Sequence, residues 1–280
     1  MLELTDIPAL KAWVRAQRQA GRRIALVPTM GALHEGHLAL VDEARRRADV
    51  VALSVFVNPL QFGPAEDFAR YPRALDRDRA LARGRGVDLL FAPALDAMYP
   101  PGAEVRVVPG PAGDRWEGAA RPGHFAGVLT VVAKLFHLVE PDVACFGQKD
   151  IQQAALVRRM VRDLDWPIEL AVVPTVRDRD GLALSSRNAY LSAAERRDAL
   201  ALSRGLAAAE ATWHAGERSS AMLAAAVRRE LDAAPGLRAD YIAVVDPDRF
   251  APVLHADPGT IIAVAGRVGE TRLIDNVILG

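Results

Sequence analysis

The chain has 280 residues, 51% apolar and 25% charged, with 35 basic and 35 acidic side chains. That balance belongs to a globular protein with one large domain or two and excludes fibrous and disordered classes. A net charge of zero supplies no global positive field for nucleic acid or an anionic membrane, so neither is an expected partner.

Residues 6–19 read as an amphipathic helix, opened by Thr5 or Asp6 with Pro8 in the first turn. RIALVP (23–28) is a short apolar run without a period of two, as in a strand buried on both faces. A helix over 37–48, a buried strand over 50–57, a charged helix over 73–85 and a strand over 87–93 follow. Residues 125–139 form a long apolar helix, 142–147 a strand, 150–164 a helix and 168–174 a strand. This alternation predicts an α/β fold, a Rossmann-like parallel sheet with helices on both faces, over residues 1–175.

The pattern changes near residue 176. A polar stretch with the turn-prone DRDG at 178–181 leads to two helices, at about 193–212 and 217–233, and then three strands, at 239–246, 260–266 and 271–279. Helices followed by consecutive strands predict a smaller α+β domain over 176–280 with an antiparallel sheet. Cys145, the single cysteine, excludes an intramolecular disulfide and reads as a buried thiol within VACFG. No basic start and apolar core mark a secretory signal, and no apolar run reaches the length of a membrane span, so the expected location is cytoplasmic.

Four segments carry chemistry. The first follows the strand at 23–28: Pro28-Thr29-Met30-Gly31-Ala32-Leu33-His34-Glu35-Gly36-His37, then a helix. A strand-to-helix turn at the carboxyl edge of a parallel sheet is where ligands bind in open α/β folds. The helix starting near Gly36 is expected to point unpaired N–H groups and its positive dipole end at a phosphate. His34 and His37, three apart, share a face and can donate hydrogen bonds to phosphate oxygens. Alternatively they are a metal pair or surface histidines, although no sequence cluster completes a zinc site.

The second segment is Asn58-Pro59-Leu60-Gln61-Phe62-Gly63 at the end of the 50–57 strand. Neutral amides suit a hydroxylated substrate, and a plain turn capped by Asn58 is the alternative. The third is Gly147-Gln148-Lys149-Asp150, with Gln152 and Gln153 one turn on. Only three of the 35 basic residues are lysines, and Lys149 stands on this presumed ligand edge, a compact charge for a phosphate. Asp150 caps the helix or meets a ribose hydroxyl; both roles fit. The fourth is Ser185-Ser186-Arg187-Asn188, hydroxyl and guanidinium donors at the domain junction, equally readable as a common polar loop. Upstream, Arg121 of RPGHF pairs either a ligand anion or a surface carboxylate.

PTMGALHEGHLALV resembles the His-x-Gly-His signature of the nucleotidyltransferase superfamily, shared with class I aminoacyl-tRNA synthetases. The fuller PTMGALHEGH, SVFVNPLQFGPAEDFARYPR, FGQKDIQQ and LSSRN strings are similar, in order and spacing, to those of the pantothenate synthetase family. The resemblance implies an ATP-dependent ligase that joins pantoate to β-alanine through pantoyl adenylate. It implies ATP contacts from Met30, Gly31, Ala32, Leu33, His34, Glu35, Gly36 and His37, from Gly147, Gln148, Lys149 and Asp150, and from Val176, Leu184, Ser185, Ser186 and Arg187. His34, His37, Lys149 and Arg187 would be catalytic, and Gln61, Gln153 and Asn58 would meet pantoate or β-alanine. Asp76 would lie near Mg²⁺, and the protein would be a homodimer. Many relatives carry Glu where this chain has Gln148. Another nucleotidyltransferase, which would need a basic pocket for a second phosphate, and a non-catalytic ATP-sensing module are the competing readings. A tRNA synthetase is disfavoured by the neutral charge.

Overall fold

The computed structural model describes residues 1–64 and 66–280. The chain divides into two compact units. The first comprises Met1–Gly113, Arg121–Gly147 and Leu156–Val173; the second comprises Asp114–Ala120, Gln148–Ala155 and Pro174–Gly280. Two short excursions, at 114–120 and 148–155, therefore group with the C-terminal residues, whereas the sequence suggests a single break near 176.

The first unit is built on six parallel strands. In chain order its elements are β1 (Leu2–Leu4), α1 (Ile7–Gln19), β2 (Ile24–Thr29), α2 (Glu35–Arg47), β3 (Val50–Val55), α3 (Leu75–Gly84) and β4 (Leu89–Phe91). The short α4 (Leu95–Met98) follows, and the short α5 (Glu117–Ala120) lies in the excursion. Then come α6 (His124–Val139), β5 (Val143–Gly147), α7 (Ile151–Asp163), whose first turns belong to the second unit, and β6 (Glu169–Val173). The strand order is β1-β4-β3-β2-β5-β6. From β2 the chain winds outward on one side, then returns to place β5 on β2's other flank, with Ala25 beside Val143 and Leu26 beside Ala144. The carboxyl ends of β2 and β5 thus mark the point where strand order reverses, the usual ligand position in such sheets.

Local chemistry explains these elements. Asp6 caps α1 by accepting the Ala9 N–H at 2.8 Å, with Pro8 in the first turn where no N–H is needed. Ile24 to Val27 are buried on both faces, so β2 shows no alternation. Cys145 on β5 is buried, and burial pushes its thiol up to about 12, so it stays protonated and inert. β1, only three residues long, pairs with β4 at the sheet edge; it is too short to show a readable period.

In the second unit the antiparallel strands β7 (Leu237–Val245), β8 (Ile261–Val268) and β9 (Thr271–Ile278) run in that order. The helices α8 (Ala193–His214) and α9 (Ser220–Asp232) bury Leu202, Leu206, Trp213, Leu223 and Val227 in one cluster with Ile262 and Val264 of β8. A capping box starts α8: the Glu195 N–H donates to the Ser192 hydroxyl at 3.3 Å, and the Ser192 N–H donates to the Glu195 carboxylate at 2.8 Å. The 114–120 excursion is held by Arg272 of β9, which makes two hydrogen bonds of 2.6 and 2.7 Å to the buried Glu117. Among the described residues no helix is long and apolar enough to cross a membrane.

One glycine in the first unit sets how closely helix and loop approach. A Cβ at Gly127 of α6 would overlap the carbonyl of Leu60, in the turn that carries Gln61. Gly127→Ala is expected to destabilise the protein by about 1–3 kcal/mol, read by denaturant unfolding, because the turn must shift to admit the methyl group.

Candidate active site

The turn after β2 is shaped by side chains that consume its backbone donors. The Thr29 hydroxyl donates to Ser54 O at 2.7 Å and accepts the Gly31 N–H at 3.2 Å. Asp78 of α3, 1% exposed, accepts the Ala32 N–H at 2.9 Å and the Leu33 N–H at 2.7 Å, one with each carboxylate oxygen. Gly31 has φ +80°, and a Cβ there would meet Asp78 Oδ2 and Val55 Cγ1 at 2.9 Å, so only glycine fits. Ala32 also lies in the left-handed region, at φ +51°, an uncommon conformation that the Asp78 carboxylate holds in place.

The two histidines complete the pattern. His34 is the N-cap of α2, and its Nδ1 accepts the Gly36 N–H at 3.1 Å. The Nδ1 of His37 accepts the His34 N–H at 3.4 Å. The N–H groups of His37 and Leu38 go to the His34 carbonyl, at 2.8 and 3.1 Å. This corrects the expectation of unpaired N–H groups at the start of α2: those of Gly36 and His37 already have acceptors. The positive end of the helix dipole remains. More importantly, an Nδ1 that accepts places the ring proton on Nε2, so each neutral imidazole carries its donor on the nitrogen away from the backbone. The rings lie 4.1 Å apart between centroids at 39°. The other residues of the turn divide by side chain. Leu33 is buried in the core, and Glu35 is exposed and pairs with Arg85 at 2.7 Å, so the backbone is what these two offer inwardly.

The amides at 58 and 61 have separate jobs. Asn58 is 1% exposed and its capacity is filled by the protein. Its amide donates to Gln61 Oε1 at 3.0 Å and to Gly127 O at 3.1 Å. Its oxygen accepts from the Leu60 N–H at 3.3 Å and the Tyr99 hydroxyl at 3.0 Å. Burial pushes the Tyr99 phenol up to about 12, so it keeps its proton and continues to donate. Where the sequence offers Asn58 as a substrate contact, this structure uses it to hold Gln61. Gln61 Nε2 donates to Met30 Sδ at 3.2 Å. A thioether is a weak acceptor, so that bond is readily exchanged for a ligand oxygen. The Gln61 carbonyl is fixed by His124 Nδ1 at 2.8 Å and Arg121 Nη2 at 3.2 Å. Arg121 in turn grips Glu66 with two bonds of 2.7 Å. Burial alone would raise the Glu66 carboxyl, but the Arg121 ion pair overrides it and holds it below its ordinary value. Arg121 thus pairs a protein carboxylate.

Asp76 lies on the first turn of α3 with its side chain 97% exposed and ion-paired to Arg79. Asp78, two positions on, projects from the buried side. Among the described residues no group of three His, Cys, Asp or Glu side chains is gathered to hold a metal ion. These residues do not form a protein cage for magnesium.

In the second unit, Gln148–Asp150, which carries Lys149, is a single 3-10 turn leaving β5 directly after Gly147. Gln152 spends its amide on the excursion, accepting the Glu117 N–H at 3.1 Å and donating to Arg115 O at 2.9 Å. Gln153, its neighbour on α7, is only partly buried. The 176–184 segment folds on itself through Leu184 N–H to Val176 O at 2.9 Å. Ser185 accepts the Arg187 N–H at 3.2 Å, and Asn188 closes the loop onto Ala183 O at 3.0 Å.

A parallel sheet whose strand order reverses at a histidine-capped strand-to-helix turn defines an α/β protein with its ligand edge at that turn. The model of the pantoate-beta-alanine ligase family matches residues 3–278, and the chain belongs to that family. It is 54% identical over 276 residues to the pantothenate synthetase of Moorella thermoacetica, covering 99% of this chain and 98% of the relative. The crystal structure of the pantothenate synthetase of Thermus thermophilus superposes with a TM-score of 0.94 at 52% identity, covering 99% of each chain. The pantoate-beta-alanine ligase of Francisella tularensis, solved with Beta-gamma ATP and β-alanine, gives 0.81 at 32% identity, covering 99% of this chain and 97% of that one.

Asp78 is the residue the sequence does not single out. Asp78→Asn keeps one accepting oxygen and leaves one buried N–H without an acceptor. It is expected to cost about 1–3 kcal/mol in thermal unfolding and to lower turnover more than nucleotide affinity, measured by steady-state kinetics.

Proposed function

We propose that the protein condenses pantoate with β-alanine at the expense of ATP, giving pantothenate, AMP and pyrophosphate. The observation that carries the reading is the turn at 29–37: two neutral imidazoles with their donors on Nε2, held beside a helix N-terminus at the reversal point of the sheet. Family membership supplies the substrates.

In the first step the pantoate carboxylate attacks the α-phosphorus of ATP; the new C(=O)O–P bond forms as the bond from that phosphorus to the α–β bridging oxygen breaks, and pyrophosphate leaves with its electron pair. The nucleophile is already an anion, so no general base is needed; the barrier lies in charge repulsion and orientation. His34 and His37 Nε2–H groups, Lys149 and Arg187 are proposed to meet the charge on the phosphates. The backbone of Met30 to Gly36, with Gly147, Gln148, Asp150, Val176, Leu184, Ser185 and Ser186, would line ATP. Gln61 would exchange its Met30 bond for pantoate, with Gln153 as the second amide and Asn58 as Gln61's support. In the second step the neutral amine of β-alanine attacks the acyl carbon of the adenylate, the C–N bond forms, AMP leaves with the electron pair of the broken C–O bond, and the surplus amine proton is released to solvent. ATP is proposed to enter as its magnesium complex, the ion held chiefly by phosphate oxygens and water. A homodimer in the cytoplasm is proposed from the family resemblance.

A nucleotidyltransferase acting on a phosphorylated acceptor is less well supported. Around Gln61 the structure sets neutral amides and a thioether, and the nearby arginine is already paired with Glu66.

Exchange of labelled pyrophosphate into ATP tests the reading. Exchange is expected to need pantoate but not β-alanine; exchange without pantoate, or none with it, would contradict the assignment. His37→Ala should lower exchange by about 10²–10³ while the protein stays folded. Lys149→Ala should damage exchange yet still convert pre-formed pantoyl adenylate with β-alanine.

A further inference from the structure

We propose that Asn276 of β9 is a positioning residue for adenylation, fixing the 148–149 turn and through it Lys149; this rests on the ligase reading above. Asn276 is 2% exposed. Its amide donates to the carbonyls of both Gln148, at 2.8 Å, and Lys149, at 3.1 Å. Its oxygen accepts from Gln148 Nε2 at 3.2 Å. One side chain therefore holds two consecutive carbonyls and one side chain of the turn.

The turn needs such a clamp. It leaves β5 as a single 3-10 turn, outside the strand ladder that ends at Gly147. Lysine carries its charge on a four-carbon stem with many rotamers, so where the ammonium sits depends first on where the backbone sits. The neighbouring Asp275, 3% exposed, accepts the Asn276 N–H at 2.8 Å and grips Arg177 through bonds of 2.6 and 2.9 Å. Asn276 is thereby held on its own backbone side. Its carboxamide is used in full register: two donors to two carbonyls, one acceptor to one amide. Aspartate has the same shape but no donor, and would set a carboxylate against two carbonyl oxygens.

Asn276→Ala and Asn276→Asp should lower pantoate-dependent pyrophosphate exchange by about 10- to 100-fold, as expected when a charge-bearing group is displaced by an ångström or so. Reaction of pre-formed pantoyl adenylate with β-alanine should change less than about threefold by the same reasoning, since the turn is assigned to adenylation. In a Lys149→Ala background the added loss from Asn276→Ala should fall below about threefold, because residues that act through one another are not additive. ATP affinity by titration calorimetry should weaken in parallel, and this readout does not depend on the acceptor. Wild-type exchange that fails to require pantoate would defeat the ligase reading alone. Wild-type exchange that does require it, with folded Asn276 variants of normal exchange and ATP affinity or with fully additive losses, would overturn this proposal. Should the alanine and aspartate variants fail to fold, Asn276→Ser, which fits the space with one short donor, carries the same expectation and the same contrary result.

Discussion

The structure depends on one constraint: the backbone N–H groups after β2 are taken up by side chains, chiefly by the Asp78 carboxylate. A buried carboxylate with 1% exposure is costly unless its oxygens are satisfied. Here the acceptor is matched to two main-chain donors, at 2.9 and 2.7 Å, and the pair holds Ala32 in a left-handed conformation that its Cβ disfavours. From that fixed point the chain enters α2 with His34 as cap, and each imidazole uses Nδ1 on the backbone. Rings held this way need little reorganisation when a charged group arrives, which is the condition under which hydrogen-bond donors contribute most to catalysis.

The same economy appears in the amide cluster. Asn58 donates twice and accepts twice inside the protein, while among the described residues the acceptor met by Gln61 Nε2 is the Met30 sulfur. Strong hydrogen bonds thus support the residue behind, and a weak one marks the residue in front. Arg121, His124 and Glu66 hold the Gln61 carbonyl from the other side. The pairing of Arg121 with Glu66 keeps a guanidinium from adding net charge around Gln61, which suits selection by hydroxyl and carboxylate geometry rather than by a second phosphate.

Much of this was legible in the sequence because the relevant signals are local. The run at 23–28 and the Asp6 cap each announce an element from within a few residues. Gly31, His34 and His37 could be placed on one strand-to-helix turn for the same reason. What escaped was set by distant partners. Asp78 lies 46 residues from Ala32, and nothing in LDRDR shows which of two aspartates facing nearly opposite ways meets the turn and which meets water. Asn276 joins residues 128 positions earlier, and the grouping of 114–120 with the C-terminal residues depends on Arg272 and Glu117, 155 apart. Pairings that span so much chain leave no periodic trace.

The central claim is that the backbone of the 29–37 turn fixes both imidazoles with the proton on Nε2. Nitrogen-15 NMR of protein labelled in its histidine rings measures this directly at neutral pH, with His34→Gln and His37→Gln spectra giving the assignments. Nε2 protonated and Nδ1 carrying the lone pair in both rings is the predicted result. A proton on Nδ1 of either ring would contradict it, because that nitrogen could not then accept the N–H of Gly36 or His34.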